Sequence, residues 1–350
     1  MAAVPFALLA AHFSFVCDDA YIVFRYARNL AAGLGLRYNL GVEPPVEGYT
    51  QLGWVLWISL FERLGWDPVF WSRATSITCG AGLLLAIASV ARRRFGPGLL
   101  PVMAATLFFA VLPWVSVWTT GGLETMAFTL ATFGVFERLL GDPERSHPRQ
   151  AVACGLLACL LRADGVWWVL AVLAAAFDET RRGRSRASSH ATPLASPYAI
   201  LGCAALVLSG FALLEAFRIG YHGDWLPNTA RVKVGFSALA LQRGAYYVLG
   251  SWLTVPAVLV LPLHALWLDL RRTVPLARPC LVVVASTWIY AVLVGGDFMA
   301  MGRLLVPSAP FLALLAAGVA GRLTANARPL RAALAGAALL VLTVPASFDL

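Results

Sequence analysis

The sequence predicts an all-α polytopic membrane protein, and three observations carry that expectation. The 350 residues are 60% hydrophobic and 13% charged, against roughly 45–50% apolar and about 25% charged in soluble globular domains. The apolar residues run in long stretches separated by short polar patches, as bilayer-crossing helices of about 20 residues require. The basic residues gather in alternate loops. Together these exclude a disordered chain, a secreted disulfide scaffold and a cytosolic enzyme.

Taken in order, spans are expected near 2–16, 72–91, 98–117, 122–140, 150–162, 165–177, 195–217, 244–266, 279–294, 304–320 and 332–347, eleven in all. The first has no basic n-region and no A-x-A-like site before Cys17, so it reads as a helix rather than a cleaved signal. Residues 51–61 are apolar but soon meet Glu62, Arg63, Asp67 and Pro68, so that stretch is expected to lie as a helix at the membrane surface. The pair 150–162 and 165–177 is short enough to form one broken hairpin instead. Residues 178–196, with Arg, Ser, Gly, His and Pro, read as a flexible cytoplasmic linker. No internal repeat is visible, which counts against a transporter built from two similar halves.

Charge tests this threading. The formal net charge is +9; Arg supplies 26 of the 27 basic residues and Lys233 is the single lysine. With 51–61 kept on the surface, the clusters at 92–94, 138–149, 181–186, 271–278 and 322–331 share one side, with 16 basic and 6 acidic residues, while the opposite loops hold 11 basic and 10 acidic. The positive-inside rule makes the first side cytoplasmic. The N-terminus is then inside, the C-terminus outside, and the positive charge reports topology rather than a nucleic-acid partner. Cys17, Cys79, Cys154, Cys159, Cys203 and Cys280 lie almost all in apolar stretches without metal-type spacing and read as small buried hydrophobes.

The outer face collects the unusual residues. Asp18-Asp19 opens the first outer loop at the start of an expected helix over 19–32 that ends at Gly33-Leu34-Gly35. On it Asp18, Tyr21/Ile22, Arg25 and Arg28/Asn29 follow three- and four-residue steps and share a face. That pattern fits a cap with a surface ion pair, and equally a catalytic carboxylate beside an anion clamp. Five further pieces place a carboxylate near glycine at the outer end of a span: Glu43 to Thr50 with Glu47 and Tyr49, Gly121 to Glu124, Arg162 to Gly165 around Asp164, Gly223 to Asn228 around Asp224, and Gly295 to Met299 around Asp297. One such carboxylate is usually turn chemistry; five on one side can line a cavity if the spans bundle. The outer cations are Arg25, Arg28, Arg37, Arg63, Arg73, Arg162, Arg218, Arg231, Lys233, Arg243 and Arg303. The Arg231/Lys233 pair suits a phosphate or a lipid headgroup, and most outer tryptophans read as an interfacial belt.

These residues carry a resemblance. D-D-A-Y-I-x-F-R-Y-A-R-N-L at 18–30, G-L-x-x-N-x-G at 35–41 and E-G-Y-T-x-x-x-W at 47–54 resemble the first outer loop of GT-C class integral membrane glycosyltransferases. The segments G-L-E at 122–124, R-x-D-G at 162–165, G-D-x-L-P-N-T at 223–229 and G-G-D-F-M-x-x-x-R-x-L-V-P at 295–307 are similar to a bacterial branch near the arabinofuranosyl- and mannosyltransferases. The set runs in order from residue 17 to about 310.

The resemblance implies a GT-C-like bundle of about eleven transmembrane helices with juxtamembrane helices in the first outer loop, 17–71. It implies a sugar donor linked to polyprenyl phosphate, a glycan, lipid or protein acceptor, and transfer on the outer face of the cytoplasmic membrane. Asp18 and Asp19 are then the catalytic candidates, one of them a general base, with Asp18 slightly preferred for facing Arg25. Arg303, Lys233, Arg231 and Arg25 are candidates for the donor phosphate. Glu47, Tyr49, Glu124, Asp164, Asp224, Asn228 and Asp297 are candidates for sugar and acceptor. Some relatives hold a divalent cation (Mg, Mn or Ca), for which Asp18, Asp19 and Asp164 supply candidate oxygen ligands; no other cofactor is implied. Two departures stand out: Val42-Glu43-Pro44-Pro45 inserts a residue or two before Glu47, and the chain is expected to be one transmembrane domain over 1–350, its C-terminal soluble outer domain absent or truncated. The rival classes are a lipid or solute transporter and a non-catalytic envelope-assembly scaffold. Apolar spans nearly without charge at their centres favour an interfacial enzyme.

Overall fold

The computed structural model describes residues 2–96, 98–184, 195–233, 237–270, 274–299 and 301–326, and among these every regular element is helical. In chain order they are α1 (Ala3–His12), α2 (Asp18–Ala31), α3 (Leu52–Arg63), α4 (Pro68–Phe95), α5 (Leu99–Val111), α6 (Pro113–Trp118), α7 (Thr125–Leu140), α8 (Pro148–Leu161), α9 (Gly165–Arg184), α10 (Pro197–His222), α11 (Asn228–Lys233), α12 (Ala238–Thr254), α13 (Ala257–Leu270), α14 (Ala277–Leu293), a 3-10 helix (Arg303–Ser308) and α15 (Ala309–Asn326).

Local chemistry sets the ends of the long helices. Asp67 caps α4, its Oδ1 accepting from Val69 N (3.0 Å) and its Oδ2 from Phe70 N (3.3 Å), with Pro68 at the first helical position. Arg92, Arg93 and Arg94 close the same helix at its negative dipole end, and Arg93 pairs with Glu137 of α7 at 2.6 Å. Ser196 caps α10, accepting from Ala199 N (3.1 Å), and Gly223 ends that helix with φ 72°.

Among the described residues three helices are long and apolar enough to cross a membrane by length and composition: Pro68–Phe95, Pro197–His222 and Arg303–Arg322. The expected spans differ from the helices where proline intervenes. Segment 98–117 breaks at Leu112-Pro113, with Leu112 extended at ψ 121°. Segment 244–266 bends by 90° between α12 and α13, where Val255 precedes Pro256 and leaves the helical region at φ −134° and ψ 80°. Residues 178–184, expected in a linker, instead complete α9, where Asp178 pairs with Arg182 at 3.0 Å and Arg278 at 2.8 Å. Residues 150–162 and 165–177 fall in two helices, α8 and α9. The expected span 332–347 lies outside the described residues.

In the bundle α5 packs on α15, α7 on α8, and α9 on α14. Phe133 and Phe136 of α7 are fully buried against Phe311 of α15, with ring centroids 5.6 and 5.2 Å apart. Between helices in lipid, packing rather than transfer from water drives association, so small residues at crossings matter. The α12–α14 crossing shows this at Gly244, where an added Cβ would meet Val292 O at 2.5 Å and Val292 Cα at 2.7 Å. Backbone cannot yield as a side-chain tip can. Gly244→Ala is therefore expected to destabilise the purified protein by roughly 1–3 kcal/mol, read as an earlier thermal transition in detergent; an unchanged transition would show the crossing to be looser than this geometry.

Candidate active site

The stretch from Cys17 to Trp54 is fixed to the bundle by hydrogen bonds to the backbone of the α6–α7 turn. Cys17 N donates to Gly121 O (3.0 Å) and Trp54 Nε1 donates to Gly122 O (3.1 Å). Gly122 has φ 82°, and an added Cβ would lie 3.1 Å from the Ala20 methyl, so α2 can sit this close to the α6–α7 turn only against glycine. The segment 45–50 has no regular secondary structure and is tied to several neighbours. Tyr26 Oη donates to Val46 O (2.7 Å) and accepts from Gly48 N (2.9 Å). His222 Nδ1 donates to Pro45 O (2.7 Å), which leaves Nε2 to accept from Tyr49 Oη (3.1 Å). Asn228 N donates to Glu47 O (3.0 Å), and Ala163 N donates to Thr50 O (2.8 Å).

These ties set α2, the α8–α9 turn and the end of α10 around one cavity of roughly 1020 Å³, which Gly296, Asp297, Phe298 and Arg303 complete. Its ionisable lining is Asp19, Glu124, Asp164, Glu215 and Asp297 with Arg162, Arg218, Arg243 and Arg303. Arg162 grips Asp164 in a fork, Nε–Oδ1 2.9 Å and Nη2–Oδ2 2.8 Å, and reaches Glu124 Oε1 at 3.4 Å. Its guanidinium lies over Phe128 and Trp168, 5.4 and 5.7 Å from the ring centroids. Tyr290 Oη donates to Asp164 from α14. Arg218 pairs with Glu47 (2.7 Å) and with Glu215. Arg303 pairs with Asp297 (2.7 Å) and covers the Trp118 ring at 5.6 Å. Arg243 donates through Nε to Gly295 O (2.8 Å), and among the described residues it is the lining guanidinium without a carboxylate partner.

One guanidinium drives two carboxyls apart. Burial pushes the Glu124 carboxyl up, and the charge of Arg162 only partly opposes it. Burial also works against the Asp164 carboxylate, but the charge and hydrogen bonds of Arg162, with the Tyr290 hydroxyl, outweigh it and hold Asp164 below its ordinary value. Burial likewise raises Glu47, with Arg218 opposing. Outside the lining, hydrogen bonds from Arg231 take the Asp224 carboxyl down to about 2.

Of the residues singled out in the sequence, Asp19, Glu124, Asp164, Asp297 and Arg303 line the cavity. Asp18 does not. It is exposed one residue earlier on α2, about 100° around the helix, with its Oδ1 accepting from Asp19 N (2.9 Å). Nor does Arg25 face it as an anion clamp: Arg25 Nε donates to Tyr38 O (2.8 Å) and its guanidinium lies 4.8 Å from the Tyr38 ring. Glu47 and Tyr49 are buried in the wall, occupied by Arg218 and His222. Asp224 and Arg231 bind each other (2.6 and 2.5 Å) away from the lining, although the intervening Trp225, Leu226 and Pro227 belong to it. Asn228 is exposed and engages Glu47 through its backbone. The side chain of Lys233 lies outside the described residues. Among the described residues no three His, Cys, Asp or Glu side chains group to hold a metal ion, and Asp18, Asp19 and Asp164 form no such set. Arg162, Arg243 and Tyr290 carry roles the sequence did not assign. Arg162 stood in a quoted motif, whereas Arg243 and Tyr290 sit in apolar helices without a local signal.

This arrangement is that of a multi-pass, all-helical membrane protein. No protein-family model matches the chain. It is 28% identical, over 359 aligned positions, to the terminal β-(1→2)-arabinofuranosyltransferase of Mycobacterium tuberculosis, the match covering 86% of this chain and 51% of that protein. Its fold matches the crystal structure of ArnT from Cupriavidus metallidurans bound to undecaprenyl phosphate with a TM-score of 0.63 at 17% identity, covering 97% of this chain and 62% of that one. The chain thus spans about half the length of the curated relative it matches.

The unequal carboxyls predict unequal mutants. Arg162→Met strands the buried Glu124 and the half-buried Asp164 and is expected to destabilise by roughly 3 kcal/mol or more. Glu124→Gln removes a charge that burial disfavours and leaves the Arg162–Asp164 fork intact, so the thermal transition at pH 7 is expected to stay or rise. A carboxyl raised on folding stabilises fully below its unfolded value near 4.5 and loses that contribution as pH climbs through the folded value. Any advantage of Glu124→Gln should therefore shrink as pH falls toward 4.5; an advantage that grows on acidification would reverse the assignment.

Proposed function

We propose that this chain is a membrane glycosyltransferase that moves a sugar from a polyprenyl-phosphate donor to a glycan, lipid or protein acceptor. Its site faces outward across the cytoplasmic membrane, with the N-terminus inside. The observation that carries this reading is the convergence of Asp19 with guanidiniums at one cavity, in a fold shared with a protein crystallised with undecaprenyl phosphate. The arabinofuranosyltransferase relative supports a pentose such as arabinofuranose as the transferred sugar.

Chemically, an acceptor hydroxyl attacks the anomeric carbon, the bond from that carbon to the phosphate oxygen breaks, and polyprenyl phosphate leaves with the electron pair. Asp19 takes the hydroxyl proton as general base; Asp18, exposed beside it, holds the first turn of α2 through its bond to Asp19 N. Arg243 and Arg303 meet the charge that develops on the phosphate, Arg243 foremost because no carboxylate already occupies it. Asp164, Asp297 and Glu124 form the polar wall toward the sugar and acceptor. Glu47, Tyr49, Asp224 and Asn228 shape that wall from behind. The bent α12–α13 pair is the broken helix a transporter reading would ask for, but the ionised groups gather at helix ends around one mouth rather than along a path.

Membranes containing the protein, given radiolabelled polyprenyl-phosphate arabinofuranose, should transfer or release the sugar. Asp19→Asn is expected to cut that rate by about 10²–10⁴ and Asp18→Asn by less than about tenfold, while Arg243→Gln raises the donor KM about tenfold, the loss of one charge-assisted contact. Transfer by Asp19→Asn at the wild-type rate removes the base assignment. Movement of intact donor lipid without release from any sugar tried favours the transporter.

A further inference from the structure

Among the described residues, Asp164, Glu215 and Asp297 of the cavity lining are each held by an arginine at 2.8 Å or closer, whereas the buried Glu124 is only partly met. Glu124 is 3% exposed at the N-terminal edge of α7, in the cavity lining. Its Oε1 is reached by Arg162 Nη1 at 3.4 Å, a long contact, while its Oε2 is buried and accepts no hydrogen bond from any described residue. Buried carboxylate oxygens are ordinarily satisfied, because an unmet one forfeits its full desolvation energy. Arg162 cannot rotate to serve it, being held by the Asp164 fork, and Tyr290 is committed to Asp164 as well. In the free protein water can meet this oxygen; a ligand that fills the cavity and excludes that water has to bring a small neutral donor of its own.

A sugar hydroxyl has that chemistry, and a phosphate does not: an anion would face a carboxylate. Resting on the glycosyltransferase reading above, we infer that Glu124 Oε2 accepts a hydrogen bond from a sugar hydroxyl and that this contact, rather than the lipid phosphate, selects the glycosylated donor over the bare lipid. Glu124 is thereby a specificity-determining residue. A site built to bind a hydroxyl rejects a ligand lacking it far more strongly than an apolar pocket rejects a missing methylene, since its own polar group stays unpaired. Donor sugar and acceptor sugar offer the same hydroxyl chemistry, and the test separates them.

The probes are undecaprenyl phosphate, the same lipid carrying arabinofuranose, and a soluble arabinofuranose-terminated oligosaccharide, each titrated against the full chain in detergent with thermal stability recorded alongside. Wild type should bind the glycosylated lipid more tightly than the bare lipid. Glu124→Ala should reduce that preference at least tenfold while its affinity for bare lipid stays within about twofold, and Glu124→Gln, which keeps an acceptor of weaker charge, should retain part of it. A loss confined to the oligosaccharide assigns the hydroxyl to the acceptor. An Ala variant that folds and keeps the full preference for both sugars overturns the inference, as does one that loses bare and glycosylated lipid alike. Wild type that fails to bind bare undecaprenyl phosphate overturns the donor reading itself, before any variant is compared.

Discussion

The irregular segment from Pro45 to Thr50 holds the cavity end of the molecule together. Near a bilayer, backbone N–H and C=O groups outside helices must find protein partners or open water, and this segment finds protein partners from four directions. Val46 and Gly48 are met by the Tyr26 hydroxyl of α2, Pro45 by His222 at the end of α10, Glu47 by the N-terminus of α11, and Thr50 by the α8–α9 turn. Because these partners come from α2, the α10–α11 connection and the α8–α9 turn, satisfying one six-residue stretch sets the relative positions of all three. The cavity follows from that registration, and it is why Gly122 and Trp54, which seat α2 and α3, matter to chemistry they do not touch.

The same registration forces charge into the protein, and charge explains the rest of the wall. An ion pair in a water-poor site repays its desolvation only with good geometry and further hydrogen bonds. Arg162 meets that standard with a forked carboxylate, a second acid and two aromatic faces. Arg218 binds Glu215 of its own helix, a pair without net charge at the end of α10, and also meets Glu47 of the 45–50 segment. That neutrality lets α10 continue to His222, past residue 217, where the hydropathy of the sequence falls.

How much of this was legible in the sequence depends on the range of the interaction involved. The helical class, the α2 boundaries, the short α3 and the carboxylates at the outer ends of helices follow from composition, periodicity and turn residues, all local. The breaks at Pro113 and Pro256 are local too, but hydropathy averages across them, which is why 98–117 and 244–266 read as continuous spans. What sequence could not supply is pairing. Asp224 looks like Asp164 in its glycine-rich turn, yet Arg231 seven residues on claims it outside the cavity, whereas Asp164 is claimed across 126 residues by Tyr290 at the cavity edge. Asp18 and Asp19 differ only in the direction each takes from α2, and that direction has meaning only once α7 and the 295–303 segment stand opposite.

Pairing also decides what the cavity has left to offer a ligand. Asp164 and Asp297 are neutralised by Arg162 and Arg303, and Glu215 by Arg218. Glu124 shares an arginine already held by another acid, and Arg243 holds only a backbone carbonyl. Beside Asp19, the residual character is dipolar, an acceptor at the buried Glu124 and a cation at the exposed Arg243. A sugar attached to a lipid phosphate is dipolar in the complementary sense, with hydroxyl donors at one end and anionic oxygens at the other. On the proposed reading the two matches fix the donor's orientation, sugar toward α7 and phosphate toward α12, without any further charge in the wall. A carboxylate introduced beside Arg243 would erase that polarity even if every existing contact survived, because the phosphate would then meet a guanidinium already satisfied.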